Sequence, residues 1–256
     1  VTLPGPGTSE HTLQSVHELT ESVDLKVREI KINTAVEQHL RDIEHSGNTD
    51  TVFENAQARE RTQVLFDLAN QEAGIVVGTG DLSELALGWC TFNADQMSNY
   101  NVNVSVPKTM IIHLVEWYAK HKASKNLALA LKRVIDTPIS PELIPPEQGE
   151  IQQKTEEVIG PYELHDFFIY HFLRNGSSPT KIFHLANLAY KEKYSQKEIK
   201  KWLKLFFERF FSQQFKRTTL PPGPKIGSVS LSPRGDWRMP DEASATIYTK
   251  EIEALI

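Results

Sequence analysis

Apolar residues recur at helical spacing near the start of the chain. Leu13, Val16, Leu19 and Val23 fall three or four apart, which predicts an amphipathic helix over residues 10–22. Thr8 and Ser9, after the turn Pro4-Gly5-Pro6-Gly7, are its candidate caps. Leu25, Val27, Ile30 and Ile32 lie among charges and predict a strand near a sheet edge, with residues 1–3 as the tail of another. A helix over about 34–43 and a polar loop over 46–50 follow. Residues 54–69 form a run of high helix propensity, polar in its first turns and apolar in its last. One end of such a helix can face a site while the other packs. Asn55 and Arg59 share a face at i,i+4; by spacing alone that face reads as solvated.

Residues 74–92 organise the rest. Ile75, Val76 and Val77 make a short β-branched run that suits a strand buried on both faces. Gly78-Thr79-Gly80 then permits a tight turn with close backbone approach to a ligand. Asp81 and Ser83 are plausible caps for a helix starting near 83. A strand entering a helix through such a turn puts polar groups at the carboxyl end of a sheet, where open α/β sheets bind ligands.

Beyond it, the Asn-rich residues 93–106 read as a loop able to carry function. Helices are predicted over about 109–122 and 126–135. Residues 137–146 are too rich in proline for regular structure, and the acidic run 147–157 reads as a mobile loop over the site. Further helices are predicted over about 163–174, 179–190 and 195–213, the last opened by Ser195 and Glu198 at capping-box spacing. Phe206, Phe207, Phe210 and Phe211 recur at helical spacing and read as core or interface. A Pro/Gly-rich tail over 220–240 and a last helix over about 241–254 complete the chain.

Composition narrows this picture. The 256 residues suffice for one sizeable domain. A net charge of −5 argues against a nucleic-acid protein held by global electrostatics. The single Cys90 forms no internal disulfide, fits a reducing compartment, and reads as a packed thiol among apolar neighbours. No run has the length and apolarity of a membrane span, and no signal pattern opens the chain. These features predict a cytoplasmic protein without nucleic-acid or membrane partners. No histidine pair has metal-ligand spacing on a helix face, so His165 and the others read as structural.

Several separated motifs then carry a resemblance. They are Pro4-Gly5-Pro6-Gly7-Thr8-Ser9, residues 54–61, Gly78-Thr79-Gly80-Asp81 with residues 82–86, and Val106-Pro107-Lys108-Thr109. Residues 137–143, 160–166 and 214–217 and the 227–240 tail continue the series in order. The chain resembles the synthetase domain of the glutamine-dependent NAD synthetases. The resemblance implies an α/β fold, a Rossmann-like parallel sheet flanked by helices (adenine nucleotide alpha hydrolase-like), with a mainly helical C-terminal part. It implies a nucleotide-binding part over 1–135 and a helical part over 136–256.

The same resemblance implies an ATP-dependent carbon–nitrogen ligase using ATP and Mg²⁺, with deamido-NAD and ammonia as substrates. It implies a nitrilase-like glutaminase domain as partner, and a homo-oligomer. Thr79, Lys108 and Thr137 match ATP contacts. Asn55, Arg59, Glu84, Trp89, Cys90, Thr91, Phe92 and Lys216 match the deamido-NAD site, with Glu84 alternatively a Mg²⁺ ligand. Arg61 and Arg217 could bind anions or simply pair and pack, and Asp81 could join the site or simply cap. The family opens this domain with a strand and a Ser-Gly-Gly-x-Asp-Ser loop that nothing before Val1 supplies, and the glutaminase domain is absent too. The expectation is therefore that this chain alone is inactive. Two alternatives stay open: another ATP-pyrophosphatase ligase, since fold does not set substrate, or a non-catalytic fragment that oligomerises through its aromatic helices.

Overall fold

The computed structural model describes residues 1–145 and 155–255. In chain order the elements are α1 (Glu10–Ser22), α2 (Asn33–Asp42), α3 (Thr51–Gln71), β1 (Val77–Gly78), α4 (Leu82–Leu87) and β2 (Tyr100–Asn101). Then come α5 (Lys108–His121), α6 (Lys125–Asp136), α7 (Thr155–Ile159), α8 (Tyr162–Ile169) and a π-helical turn over Tyr170–Arg174. The last are α9 (Pro179–Ala189), α10 (Gln196–Ser212), α11 (Gln214–Arg217) and α12 (Thr246–Glu253). The chain forms two compact units, each assembled from two segments: Val1–Val76 with Met110–Glu157, and Val77–Thr109 with Val158–Ile256. The expected division at residue 135 falls inside the first of these.

In the first unit, the side chain of Ser9 caps α1, that of Asp50 caps α3, and that of Ser124 caps α6, each accepting from backbone N–H groups of the first turn. Leu3, Ile32, Val36 and Ala56 form a small buried core joined by Ile30, Leu40, Val64 and Leu65. The expected strand over 25–32 shrinks to one parallel bridge, Thr2 with Glu29. Leu25 is 63% exposed and its neighbours are charged, so the segment has little apolar surface to hold a longer pairing in place. Gln57 is fully buried on α3; its amide accepts from Gly7 N at 3.0 Å and donates to Leu143 O at 2.7 Å, tying the N-terminal turn to the proline-rich segment. Arg133 on α6 forks onto α1, donating to Glu18 Oε1 at 2.6 Å and Gln14 Oε1 at 3.0 Å.

In the second unit, α10 packs on α4, α8, α9 and α12. Phe206, Phe207, Phe210 and Phe211 all turn into this core, where Phe172, Trp237 and Tyr248 meet them edge-on or stacked. These rings are thus spent on folding and offer no aromatic face for assembly. The helix expected over 163–174 changes pitch at Tyr170, and the last helix starts at Thr246.

The sheet departs most from expectation. Among the described residues it is one parallel pair, Val77 beside Tyr100 and Gly78 beside Asn101. Ile75 and Val77 are 63% and 54% exposed, not buried on both faces. β-Branched character marks residues that tolerate extended backbone; it does not supply the neighbours that bury them. The acidic run 147–154 lies outside the described residues, while 155–157 open α7. Among the described residues no helix is long and apolar enough to cross a membrane.

Candidate functional site

The turn between β1 and α4 gathers an acid pair and a lysine in the second unit. Gly78 is required there for room: a Cβ on it would lie 2.4 Å from Ser98 Oγ. Gly80 is not crowded in this way, and neither glycine takes positive φ. Thr79 is exposed between them. Asp81 then closes a capping box: its Oδ1 accepts from Glu84 N at 2.9 Å, and Glu84 Oε2 accepts from Asp81 N. The sequence suggested Asp81 or Ser83 as cap; the structure selects Asp81.

Lys108, first residue of α5, meets this box. Its Nζ lies 2.5 Å from Asp81 Oδ2 and 2.7 Å from Glu84 Oε1. It also stands 5.5 Å from the Tyr162 ring centroid. Asp81 is fully buried, whereas the Glu84 side chain stays 23% exposed. Burial, with Asp81 nearby, pushes the Glu84 carboxyl up to about 7, against the pull of Lys108. For Lys108, burial pulls the ammonium down, but the two carboxylates outweigh it and hold the pKa above its ordinary value.

A second network holds the backbone under this cluster. Ser83 Oγ accepts from Lys108 N at 2.8 Å and bonds Asp166 Oδ1, while Asp166 Oδ2 accepts from Thr109 N at 3.0 Å and Thr109 Oγ1 at 2.6 Å. Sequence reading did not single out Asp166. The available signal was an acid in an apolar stretch, between Leu164 and Phe167-Phe168-Ile169, where an unpaired charge would be costly. Its neighbour His165 is structural: Nε2 donates to Ile159 O at 2.7 Å, and burial pulls its pKa down to about 4.

The other end of α4 gathers cations. Gly88 ends the helix at φ 59°, and a Cβ there would lie 2.3 Å from Gln213 Cβ. Arg217, buried, donates to Leu85 O and Ala86 O; Arg209 donates to Leu87 O and Gly88 O; Lys216 donates to Gly88 O and Cys90 O. Three cations thus face the negative end of one short helix. Burial pulls all three below their ordinary pKa, Arg217 to about 9. Lys216 is thereby brought to the segment 88–92. Trp89 lies under the Arg209 guanidinium at 5.2 Å, and Phe92 packs on Phe215 at 5.3 Å. Thr91 N donates to Asp95 Oδ1 at 2.7 Å. The Cys90 thiol faces Gln96 Oε1 at 2.8 Å, and burial pushes it up to about 12, so it is no nucleophile at neutral pH. Arg217 is a packed residue whose donors are turned to the chain.

The remaining candidates lie in the first unit. Asn55 is half-buried and Arg59 exposed on α3. Arg61 donates to Leu3 O at 3.0 Å and Thr8 Oγ1 at 3.1 Å, which makes it a clamp on the N-terminal turn. Thr137 caps α6, its Oγ1 donating to Arg133 O. Among the described residues no three His, Cys, Asp or Glu side chains gather as a metal cage.

Known proteins place this geometry in context. The sequence model of a family described as NAD synthase matches residues 1–218. Glutamine-dependent NAD(+) synthetases of Mycobacterium leprae and Mycobacterium tuberculosis are each 43% identical over 98% of this chain. The chain spans only 41% and 40% of their respective lengths. The crystal structure of a glutamine-dependent NAD(+) synthetase from Cytophaga hutchinsonii superposes with a TM-score of 0.78 at 20% identity, over 98% of this chain and 40% of that one. An NMN synthetase from Francisella tularensis reaches 0.54 at 23% identity, over 76% and 73% of the two chains. At those identities the two structures speak for the fold alone.

Proposed function

The chain belongs to the NAD synthase family, and from that premise we propose that it is the ligase part of an enzyme that amidates deamido-NAD to NAD with ATP, and that it is inactive by itself. Its fold is then a Rossmann-like domain of the adenine nucleotide alpha hydrolase-like kind, a reading supported by the parallel β1–β2 pair. A carboxylate anion is a poor electrophile. In the proposed reaction the nicotinate carboxylate attacks the α-phosphorus of ATP and pyrophosphate leaves. Ammonia then attacks the acyl carbon of the adenylate, AMP departs, and one proton is released. Glutamine hydrolysis on a nitrilase-like domain supplies the ammonia.

The observation that carries this reading is the meeting of Glu84 and Lys108 beside the Thr79 turn, from positions 24 residues apart. Lys108 offers a compact ammonium to the ATP phosphates, and exposed Thr79 a hydroxyl. Trp89, Cys90, Thr91, Phe92 and Lys216 form the deamido-NAD side, where Trp89 and Phe92 offer ring faces to a nicotinate. Asn55 and Arg59 are assigned to deamido-NAD, and Thr137 to ATP, through the family resemblance. Mg²⁺, when bound, neutralises charge on the phosphates. Glu84, part exposed beside Asp81, is assigned to deamido-NAD or to Mg²⁺; the donor set fits the ion, since Mg²⁺ takes one or two carboxylates and leaves its other positions to phosphate and water. A cytoplasmic homo-oligomer belongs to the same reading.

Thermal-shift titration of this chain with deamido-NAD, ATP and Mg²⁺, against nucleoside monophosphates as controls, tests it. Stabilisation by deamido-NAD that is weakened by Glu84→Gln is expected. Stabilisation by a nucleoside monophosphate instead would assign the chain to a different ATP-pyrophosphatase ligase.

A further inference from the structure

The ammonium of Lys108 sits against two carboxylates, and the two are not equivalent. Glu84 is part exposed and can turn to a ligand. Asp81 is fully buried, and its two oxygens are divided between two tasks. Oδ1 caps α4 by accepting from Glu84 N. Oδ2 lies 2.5 Å from Lys108 Nζ and accepts no other hydrogen bond among the described residues. A helix cap needs only one acceptor oxygen, and serine or asparagine supplies it as well as aspartate. The charge on Asp81 therefore exceeds what the cap requires. Its cost of burial is offset by the lysine it faces and by the N-terminal end of α4 that it caps.

Lys108 is also fixed at its other end. Its backbone N–H donates to Ser83 Oγ, which is itself bonded to Asp166. With main chain and Nζ both tied, the four-carbon stem between them has little freedom left. We infer that Asp81 is a positioning residue, which fixes the Lys108 ammonium over Glu84 in advance of a nucleotide's phosphates. The inference rests on the ligase reading for the identity of the ligand, but the anchoring itself does not. A lysine already ordered is spared the ordering cost of binding, equivalent to about a three- to tenfold gain in affinity.

Two variants separate the anchor from the cap. Asp81→Asn and Asp81→Ser each keep a capping oxygen but remove the buried anion, leaving Glu84 as the carboxylate still facing Lys108; the second serves if the first folds poorly. In the chain labelled with ¹⁵N-lysine, the Lys108 ammonium resonance, identified by its absence in Lys108→Met, is expected to be protected from solvent exchange and to lose that protection in both variants. ATP binding by calorimetry is expected to weaken about three- to tenfold in either variant. No further loss is expected when either is combined with Lys108→Met. Retained protection of the resonance would overturn the inference, as would a full additional loss of affinity in the double variant. Should Lys108→Met bind ATP like the unaltered chain, or the unaltered chain bind none, the phosphate role of Lys108 fails. The resonance then decides the anchoring alone: lost protection upholds it and kept protection refutes it.

Discussion

Glu84 and His165 are both held toward the form that carries no charge, and they make stability depend on pH in opposite senses. Burial and Asp81 raise the Glu84 carboxyl from 4.5 to about 7. The folded chain then binds more protons than the unfolded one between those values, so this group's contribution falls as pH rises through them. Burial lowers His165 from 6.5 to about 4. Its contribution is complete above 6.5 and is lost as pH falls from there toward 4. Between about pH 4.5 and 6.5 the two slopes oppose each other. Denaturant titrations across that window are expected to show stability rising more steeply with pH in Glu84→Gln than in the unaltered chain, and falling with pH in His165→Leu. Carbon-detected titration of Glu84 should give a lower midpoint in Asp81→Asn, where a repelling anion is gone, and a higher one in Lys108→Met, where the attracting cation is gone. A midpoint near 4.5 in the unaltered chain would remove the physical basis of both. The acid at 84 could be chosen from sequence through its resemblance and helix position. Its pKa could not, because Lys108 and the surrounding burial arrive from elsewhere in the chain.

Among the described elements, α4 is held by side chains at both ends. Its N-terminus is closed by the Asp81 capping box and its C-terminal carbonyls by Arg209, Lys216 and Arg217. Six residues are too few to be stable as an isolated helix, so the element depends on these end contacts and on the packing of Leu82, Leu85, Ala86 and Leu87, all buried. Gly88→Ala tests this dependence. The substitution puts a side chain at φ 59° and a methyl 2.3 Å from Gln213 Cβ. The left-handed residue alone costs about 1–2 kcal/mol. With the clash, a loss above that range is expected in chemical denaturation, and a loss within it would mean that Gln213 yields freely. Helix starts at Ser9 and Ser195 could be read from nearby residues, since a cap and the amides it satisfies lie within three positions; the caps Asp50 and Ser124 were not read. The anchoring of α4 from α10 and α11 could not, because the donors lie more than 120 residues from their acceptors.

At the scale of the whole molecule, an apolar groove of about 450 Å³ opens in the first unit between Leu19, Val23, Leu25, Leu114, Tyr118 and Leu131. Leu114, Trp117 and Tyr118 on α5 are each about half exposed beside it (52%, 53% and 46%). An apolar area of this kind marks a contact surface on a folded protein. If the proposed homo-oligomer forms through it, Leu114→Glu should lower the sedimentation coefficient toward the monomer value with the melting temperature kept. An unchanged coefficient would move the interface elsewhere. The phenylalanines of α10, the sequence's own candidate for such a surface, are buried in the second unit.

Helical periodicity, capping residues and the order of the motifs were set by the sequence alone, because propensity and local hydrogen bonds act over a few residues. The family could be recognised for the same reason: its motifs are short and contiguous. Only the tertiary structure decided that Asp81 faces Lys108, that Asp166 braces Ser83 and Thr109, and that the β-branched run ending at Val77 stays largely exposed. Those outcomes depend on burial and charge pairing across tens of residues. Such partners leave no periodic trace in the chain, so they become visible only once it has folded.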